Sequence, residues 1–281
     1  MSVWFITGAS RGFGAEIVDK ALAAGHEVIA TARNTAGITD RFPDAGDRVL
    51  PVAVDVTDEA QIADAVTAAV EKFGRIDVVV NNAGRGLLGA VEEASDAAAR
   101  SVYDTNVFGV LNVIRAVLPT LRAQRSGRII NISSIGGFGG AAGWGVYCST
   151  KFALEGFSEA LAAELAPLGI AVTIVEPGYF RTDFLDASSL HTEATIIDDY
   201  AETAGATRTT ATDVNHAQPG DPVKAAAAIV HIGDVAEPPL RIQLGRDAYA
   251  AVAQKLQAVA AEQAAWHELS VSTDHDDVTS G

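Results

Sequence analysis

Cysteine is nearly absent: Cys148 is the only one in 281 residues. A lone thiol excludes an internal disulfide and a thiolate metal cluster, and it suits a reducing compartment. Basic residues are also scarce, 20 against 36 acidic ones, leaving a formal charge of -16. Such a surface repels phosphate backbones and anionic headgroups, so no nucleic acid and no membrane is expected as a partner. The acidic excess is read as a solubility device. No uninterrupted apolar run approaches the roughly 18 residues of a membrane span. Residues 1–7, MSVWFIT, lack the basic start and long apolar stretch of a secretory leader. The expectation is a soluble cytoplasmic chain that enters a buried strand at once. Nine prolines and 26 glycines are too few for a linker-dominated or fibrous chain.

What is present is an ordinary globular balance, 48% hydrophobic and 20% charged, sized for one large domain. Short β-branched runs at 3–7, 27–32, 49–54, 76–81, 127–133, 171–176 and 240–244 alternate with helix-period stretches. The helical candidates are 13–24, 59–73, 97–125, 147–166, 222–231 and 247–269. Most strand runs are continuously apolar, as in Val78-Val79-Val80, which is the mark of a strand covered on both faces. Repeated strand–helix alternation predicts an α/β fold: a doubly wound, roughly seven-stranded parallel sheet with helices on both faces. A single domain is expected over 1–269. Residues 183–221 form a polar connection long enough to be a substrate lid, and 270–281 a flexible acidic tail. The Asp274-His275-Asp276-Asp277 cluster in that tail is read as solvated, so no metal is expected.

Ligands of such a sheet bind beyond the carboxyl ends of its strands. The first strand ends in Thr7-Gly8-Ala9-Ser10-Arg11-Gly12-Phe13-Gly14. Glycines there remove side chains that would hold a pyrophosphate off the backbone, and they let a helix N-terminus approach it. Gly8, Ser10, Arg11, Gly12, Phe13 and Gly14 are therefore cofactor candidates on a dinucleotide-binding (Rossmann) fold. At the end of the second strand stands Arg33, with no acidic residue beside it. A carboxylate there would repel a 2′-phosphate, whereas Arg33 and Arg11 would attract one, favouring NADP(H). Asp55 and Val56 end the third strand, where Asp55 either meets the adenine amine or caps the turn. Asn82-Ala83-Gly84 follows the fourth strand, Ser134 the fifth, and Tyr147 and Lys151 share one face of the next helix.

Taken in order, these motifs resemble the short-chain dehydrogenase/reductase superfamily over residues 3–182. T-G-x-x-x-G-x-G, N-N-A-G and Y-x-x-x-K are intact, and a serine thirteen positions before the tyrosine selects Ser134 over Ser133. The resemblance implies a catalytic set of Ser134, Tyr147, Lys151 and Asn106, the last anchoring a proton-relay water. Pro177, Gly178 and Thr182 match a segment that holds the nicotinamide carboxamide, and Lys151 also holds the nicotinamide ribose. In the implied reduction Tyr147 protonates the carbonyl oxygen that Ser134 positions. Lys151, together with the oxidised nicotinamide, is expected to lower the phenol towards neutrality. Phe138, Trp144, Tyr179 and Phe184 are candidate substrate walls and favour an apolar or aromatic small-molecule carbonyl. A carrier-bound 3-ketoacyl, steroid or retinoid substrate is the alternative, and a non-catalytic NADP sensor is the reading from another class. The resemblance also implies a homodimer or homotetramer.

Overall fold

The computed structural model describes residues 1–275. Nine strands occur: β1 (Val3–Thr7), β2 (Glu27–Ala32), β3 (Val49–Ala53), β4 (Val78–Asn81), β5 (Gly86–Leu88), β6 (Gly127–Ile132), β7 (Ile170–Pro177), β8 (Leu190–Thr192) and β9 (Arg241–Leu244). Ten helices accompany them: α1 (Gly12–Ala23), α2 (Ala36–Arg41), α3 (Glu59–Phe73), α4 (Asp96–Tyr103), α5 (Gly109–Gln124), α6 (Gly145–Leu165), α7 (Ala206–Val214), α8 (Pro222–Asp234), α9 (Arg246–Ala265) and α10 (His267–Val271). Seven strands form one sheet in the order β3-β2-β1-β4-β6-β7-β9, every pair parallel. The strand order reverses between β1 and β4, which opens a crevice at their carboxyl ends.

Side chains of β1 alternate between the two cores, as strand geometry requires. Phe5 packs with Ile62, Val113 and Leu154 of α3, α5 and α6 on one face. Trp4 and Ile6 pack with Ile17 of α1 and Ile229 of α8 on the other. Both faces are buried, which is why the strands are spelled as unbroken apolar runs. Fully burying one such side chain is worth about 1.5–3 kcal/mol.

Three expectations need correction. The stretch 97–125 is not one helix: a π-helical turn, Asp104–Phe108, separates α4 from α5. At its end Gly109 lies so near Val56 that a Cβ would come within 2.6 Å of Cγ2. Residues 183–221 are not a bare loop either. They contain β8, which pairs with β5 across about a hundred residues, then a π turn and α7. Ser270 and Val271, assigned to a tail, belong to α10. The acidic cluster in the tail extends past the described residues. Among those described, no three His, Cys, Asp or Glu side chains gather as a metal site.

Candidate active site

Glycines shape the end of β1. Gly8 and Gly12 adopt φ 65° and 53°, backbone open to glycine and strained for other residues. A Cβ on Gly8 would stand 2.9 Å from Cα of Ala83, and one on Gly14 would overlap the Gly8 carbonyl. Asn82 fixes this turn: its Nδ2 donates to the carbonyls of Thr7 (2.9 Å) and Gly8 (3.1 Å). Thr7 Oγ1 in return accepts from the backbone N–H groups of Asn82 and Ala83, both at 3.0 Å. No side chain caps the start of α1, so its first N–H groups remain for a ligand.

A cleft of about 1240 Å³ runs from Arg33 and Asp55, over Gly8, Ser10, Gly12 and Phe13, past Ala83 and Gly84, to Ser134, Tyr147 and Lys151. Val56, Pro177, Gly178 and Thr182 also line it, whereas Gly14 is buried behind the turn and Asn106 lies outside the wall. The bare glycine turn, open helix end and elongated shape fit an extended dinucleotide. Asp55 Oδ1 accepts from the Thr57 N–H (3.0 Å) and hydroxyl (2.7 Å), so it caps the turn. Although burial works against it, these bonds and the nearby Arg33 charge hold the carboxyl below its ordinary range.

At the other end Ser134 follows β6, and its Oγ accepts from the Gly136 N–H at 3.0 Å. Tyr147 lies in the first turn of α6 and is only 8% exposed. Trp144 meets its ring edge-on and Phe184 obliquely, each at 5.6 Å. Burial pushes the phenol above its ordinary range, with Ser134 opposing. The ammonium of Lys151 stands 5.8 Å from the tyrosine ring centre, and it donates instead to the Ile132 carbonyl at 2.8 Å. Burial brings Lys151 down to about 8, against the pull of Glu155. Asn106, inside the π turn, uses its amide within the protein. Oδ1 accepts from the Arg85 N–H (2.9 Å), and Nδ2 donates to the Arg85 carbonyl (2.9 Å) and Thr150 Oγ1 (3.1 Å). Phe138, Trp144, Tyr179 and Phe184 all line this end of the cleft.

The short chain dehydrogenase family model matches residues 2–193, about two thirds of the chain. The protein belongs to this family. Oxidoreductase BOA17 of Botryotinia fuckeliana is 42% identical over 272 residues, covering 96% of this chain and 98% of its own. A 3-ketodihydrosphingosine reductase of Bacteroides thetaiotaomicron is 42% identical over 197 residues, 70% of this chain and 71% of its own. A short-chain dehydrogenase from Streptomyces avermitilis superposes with a TM-score of 0.91 at 43% identity, covering 98% of this chain and 99% of that one. More distant solved structures carry different nucleotides. ElxO holds NADP (26% identity, TM-score 0.71, 86% and 97% coverage). A 3-ketoacyl-(acyl-carrier-protein) reductase of Brucella melitensis holds NADH (25%, 0.73, 86% and 96%).

Contacts and residues at this short-chain dehydrogenase site go beyond those written in the sequence. Arg11 lines the cleft, and its guanidinium donates to the Ser188 carbonyl (3.0 Å) and Ser189 Oγ (2.9 Å), tying the glycine turn to the facing loop. Asp247, in the first turn of α9, accepts from the Tyr179 N–H at 2.7 Å and packs on Gly178, where a Cβ would collide with it. Further along α9, Ala251, Val252, Lys255 and Ala258 wall the cleft. Arg241 of β9 gathers Glu155 (3.1 Å), Glu176 (3.3 Å) and Glu159 beneath Phe138. Burial raises the carboxyls of Glu155 and Glu176. An acid at the head of α9 was the one local signal available for Asp247. The arginine–glutamate cluster joins three elements distant in sequence and had none.

Proposed function

We propose that this short-chain dehydrogenase uses NADPH to reduce a ketone or aldehyde with an apolar body to an alcohol. The observation that carries the reading is Tyr147: a buried phenol, kept protonated, beside a lysine ammonium in a cleft walled by aromatic rings. When bound, the nicotinamide supplies the hydride for reduction or accepts it in reverse. Tyr147 Oη donates its proton to the substrate oxygen as charge develops there. Because Ser134 Oγ already accepts from Gly136, its own hydrogen is left to bind that same oxygen. Lys151, charged below about 8, stabilises the phenolate left behind. Asn106 acts as a positioning residue, fastening the Gly84-Arg85 backbone to α6 through Thr150. The raised phenol keeps Tyr147 protonated at neutral pH, the form that reduction requires.

The preference for NADPH rests on Arg33, which lines the far end of the cleft with no acidic neighbour at 32 or 34. A cytoplasmic setting fits the absence, among the described residues, of any helix long and apolar enough to cross a membrane. Phe138, Trp144, Tyr179 and Phe184 favour an aliphatic or aromatic ketone. The relative named for a 3-ketodihydrosphingosine and the neighbour named for a carrier-bound 3-ketoacyl favour a long-chain 3-keto compound among these. A free ketone is preferred to a carrier-bound one, because a chain at -16 repels an acidic carrier.

The test is NADPH consumption over aryl ketones, ketoesters, long-chain 3-ketones and steroids, with wild type and Tyr147→Phe. Removing the acid should lower kcat by about 10²–10⁴-fold while NADPH affinity holds. A variant that turns over at the wild-type rate would reject Tyr147 as the acid. Tight NADPH binding with no substrate reduced would favour a sensor.

A further inference from the structure

Lys151 and Glu155 stand one turn apart on α6, and each is only 6% exposed. No other lysine or arginine is buried among the described residues. Lys151 turns to the cleft and donates to the carbonyl of Ile132, at the end of β6. Glu155 turns to the next residue along, Ser133. Its Oε1 and the Ser133 hydroxyl flank Gly137, where a Cβ would stand 2.9 Å from one and 2.5 Å from the other. Neither atom has a hydrogen-bond partner. The other oxygen, Oε2, accepts from Arg241 of β9 at 3.1 Å. That arginine is shared with Glu176 of β7 and with Glu159, which is half exposed. The cluster thus sets three carboxylates against one guanidinium. A buried carboxylate calls for a countercharge, and the cation available one turn away is Lys151.

We propose that Glu155 is the positioning residue that keeps Lys151 charged, acting on the ammonium from the side away from the cleft. The proposal rests on Lys151 as the support of the Tyr147 phenolate, and it adds the source of that charge in a buried place. Towards the cleft the neighbours of the ammonium are neutral: the Ile132 carbonyl, the Tyr147 phenol and the Gly84 backbone. The π turn presents Asn106, bonded to Thr150 of α6, and both are uncharged. Cys148 and Tyr179, which face Tyr147, are kept neutral by burial, and Asp247 of α9 is engaged by the Tyr179 N–H. Away from the cleft stand Glu155 and Glu159 of α6, Glu176 and Arg241. Among these, Glu155 lies four residues from Lys151 on one helical face, and it is the group that opposes the lowering of Lys151 by burial. Burial and Glu176 raise the Glu155 carboxyl, and Arg241 works against them to keep it ionised.

With only five lysines in the chain, the charge of Lys151 can be read directly. In protein labelled with carbon-13 at the lysine ε position, the Lys151 signal is the one lost in Lys151→Met. It should titrate at about 8 in the wild type. In Glu155→Gln, which keeps the shape and removes the charge, the midpoint should fall by about one unit. Glu155→Asp should bring it back towards the wild-type value. Glu159→Gln, which takes a carboxylate from the same arginine at the surface, should leave it in place. A midpoint unmoved in Glu155→Gln, or moved equally by Glu159→Gln, overturns the proposal.

The partner residue supplies a measurement that does not depend on the glutamine variant folding. With carbon-13 at the glutamate carboxyls, one buried signal of the wild type should shift as Lys151 discharges near pH 8 and stay still in Lys151→Met. Absence of that shift also overturns the proposal. The pH at which the reduction rate falls should follow the Lys151 midpoint from variant to variant. Midpoints that move as stated under an unmoved rate profile would sustain Glu155 as the countercharge and reject the part given to Lys151 in reduction.

Discussion

At the scale of single residues, charge at two positions makes measurable demands. Arg33 lines the far end of the cleft, the place assigned to the 2′-phosphate of the proposed NADPH, and a hydrogen bond to a charged group is worth about 1.5–3 kcal/mol. Arg33→Asp should therefore weaken NADPH binding by roughly 10–150-fold, while NADH binding holds or improves. Titration calorimetry with both nucleotides separates the cases; equal losses would remove Arg33 from phosphate recognition. Lys151 makes the second demand. Burial depresses it from 10.5 to about 8, so the folded protein holds the neutral amine more readily than the unfolded chain does. Sign follows directly: burying the ammonium disfavours folding below about 8, and that penalty fades as pH rises towards 10.5. Activity runs the other way. In the proposed chemistry, the ammonium that would support the phenolate is lost above about 8, while Tyr147, pushed upward, stays protonated. Reduction rates should decline with a midpoint near 8, and a profile flat to pH 10 would separate Lys151 from the chemistry.

At the scale of elements, the segment 190–214 depends on buried carboxylates. Glu93 accepts from Arg208 (2.7 Å) and from the backbone N–H groups of Ala90 (2.7 Å) and Ile197 (2.9 Å). The Arg208 hydrogen bond leads in drawing this carboxyl from 4.5 down to about 2. Glu193 likewise accepts from the N–H and hydroxyl of Ser95. A depressed carboxyl stabilises the fold fully above 4.5 and loses its effect as pH falls towards 2. Glu93→Gln should thus lower the thermal midpoint by several degrees above pH 5, with the gap closing by about pH 2. A gap independent of pH would mean that the charge of Glu93 contributes nothing.

These carboxylates also explain what was legible beforehand. The seven sheet strands, the glycine turn, Ser134, Tyr147 and Lys151 are written locally, as apolar runs or fixed spacings. The order of 183–221 arises from β5 meeting β8 and from Glu93 reaching Arg208, partners too distant to leave a periodic trace. The polar, threonine-rich stretch is anchored by these contacts, and its residues facing the cleft are Asp183, Phe184, Leu185, Ser188, Ser189 and Gln218. The contacts of Arg11 leave no local trace either. Its position beside the glycines suggested a phosphate, while the serines it binds are 177 and 178 residues away.

At the scale of the whole molecule, 36 acidic and 20 basic residues leave a surface that repels itself. The exposed pairs, such as Arg100 with Asp96, offset little of this, because surface ion pairs are worth at most about 1 kcal/mol. The stronger contacts, Arg241 with Glu155 and Glu176 and Arg208 with Glu93, involve buried carboxylates and are screened far less. Added salt therefore weakens the repulsion more than it weakens the attractions that hold the fold. Raising sodium chloride from about 10 mM to about 0.5 M shortens the screening length from about 30 Å to under 8 Å. If that relieves about 1–2 kcal/mol, the thermal midpoint should rise by roughly 2–3 °C. Chloride is the appropriate anion, since sulfate would stabilise by exclusion from any protein surface. Calorimetric scans across the chloride series decide the matter. A midpoint that falls with salt would show that exposed ion pairs outweigh the net charge in holding this protein together.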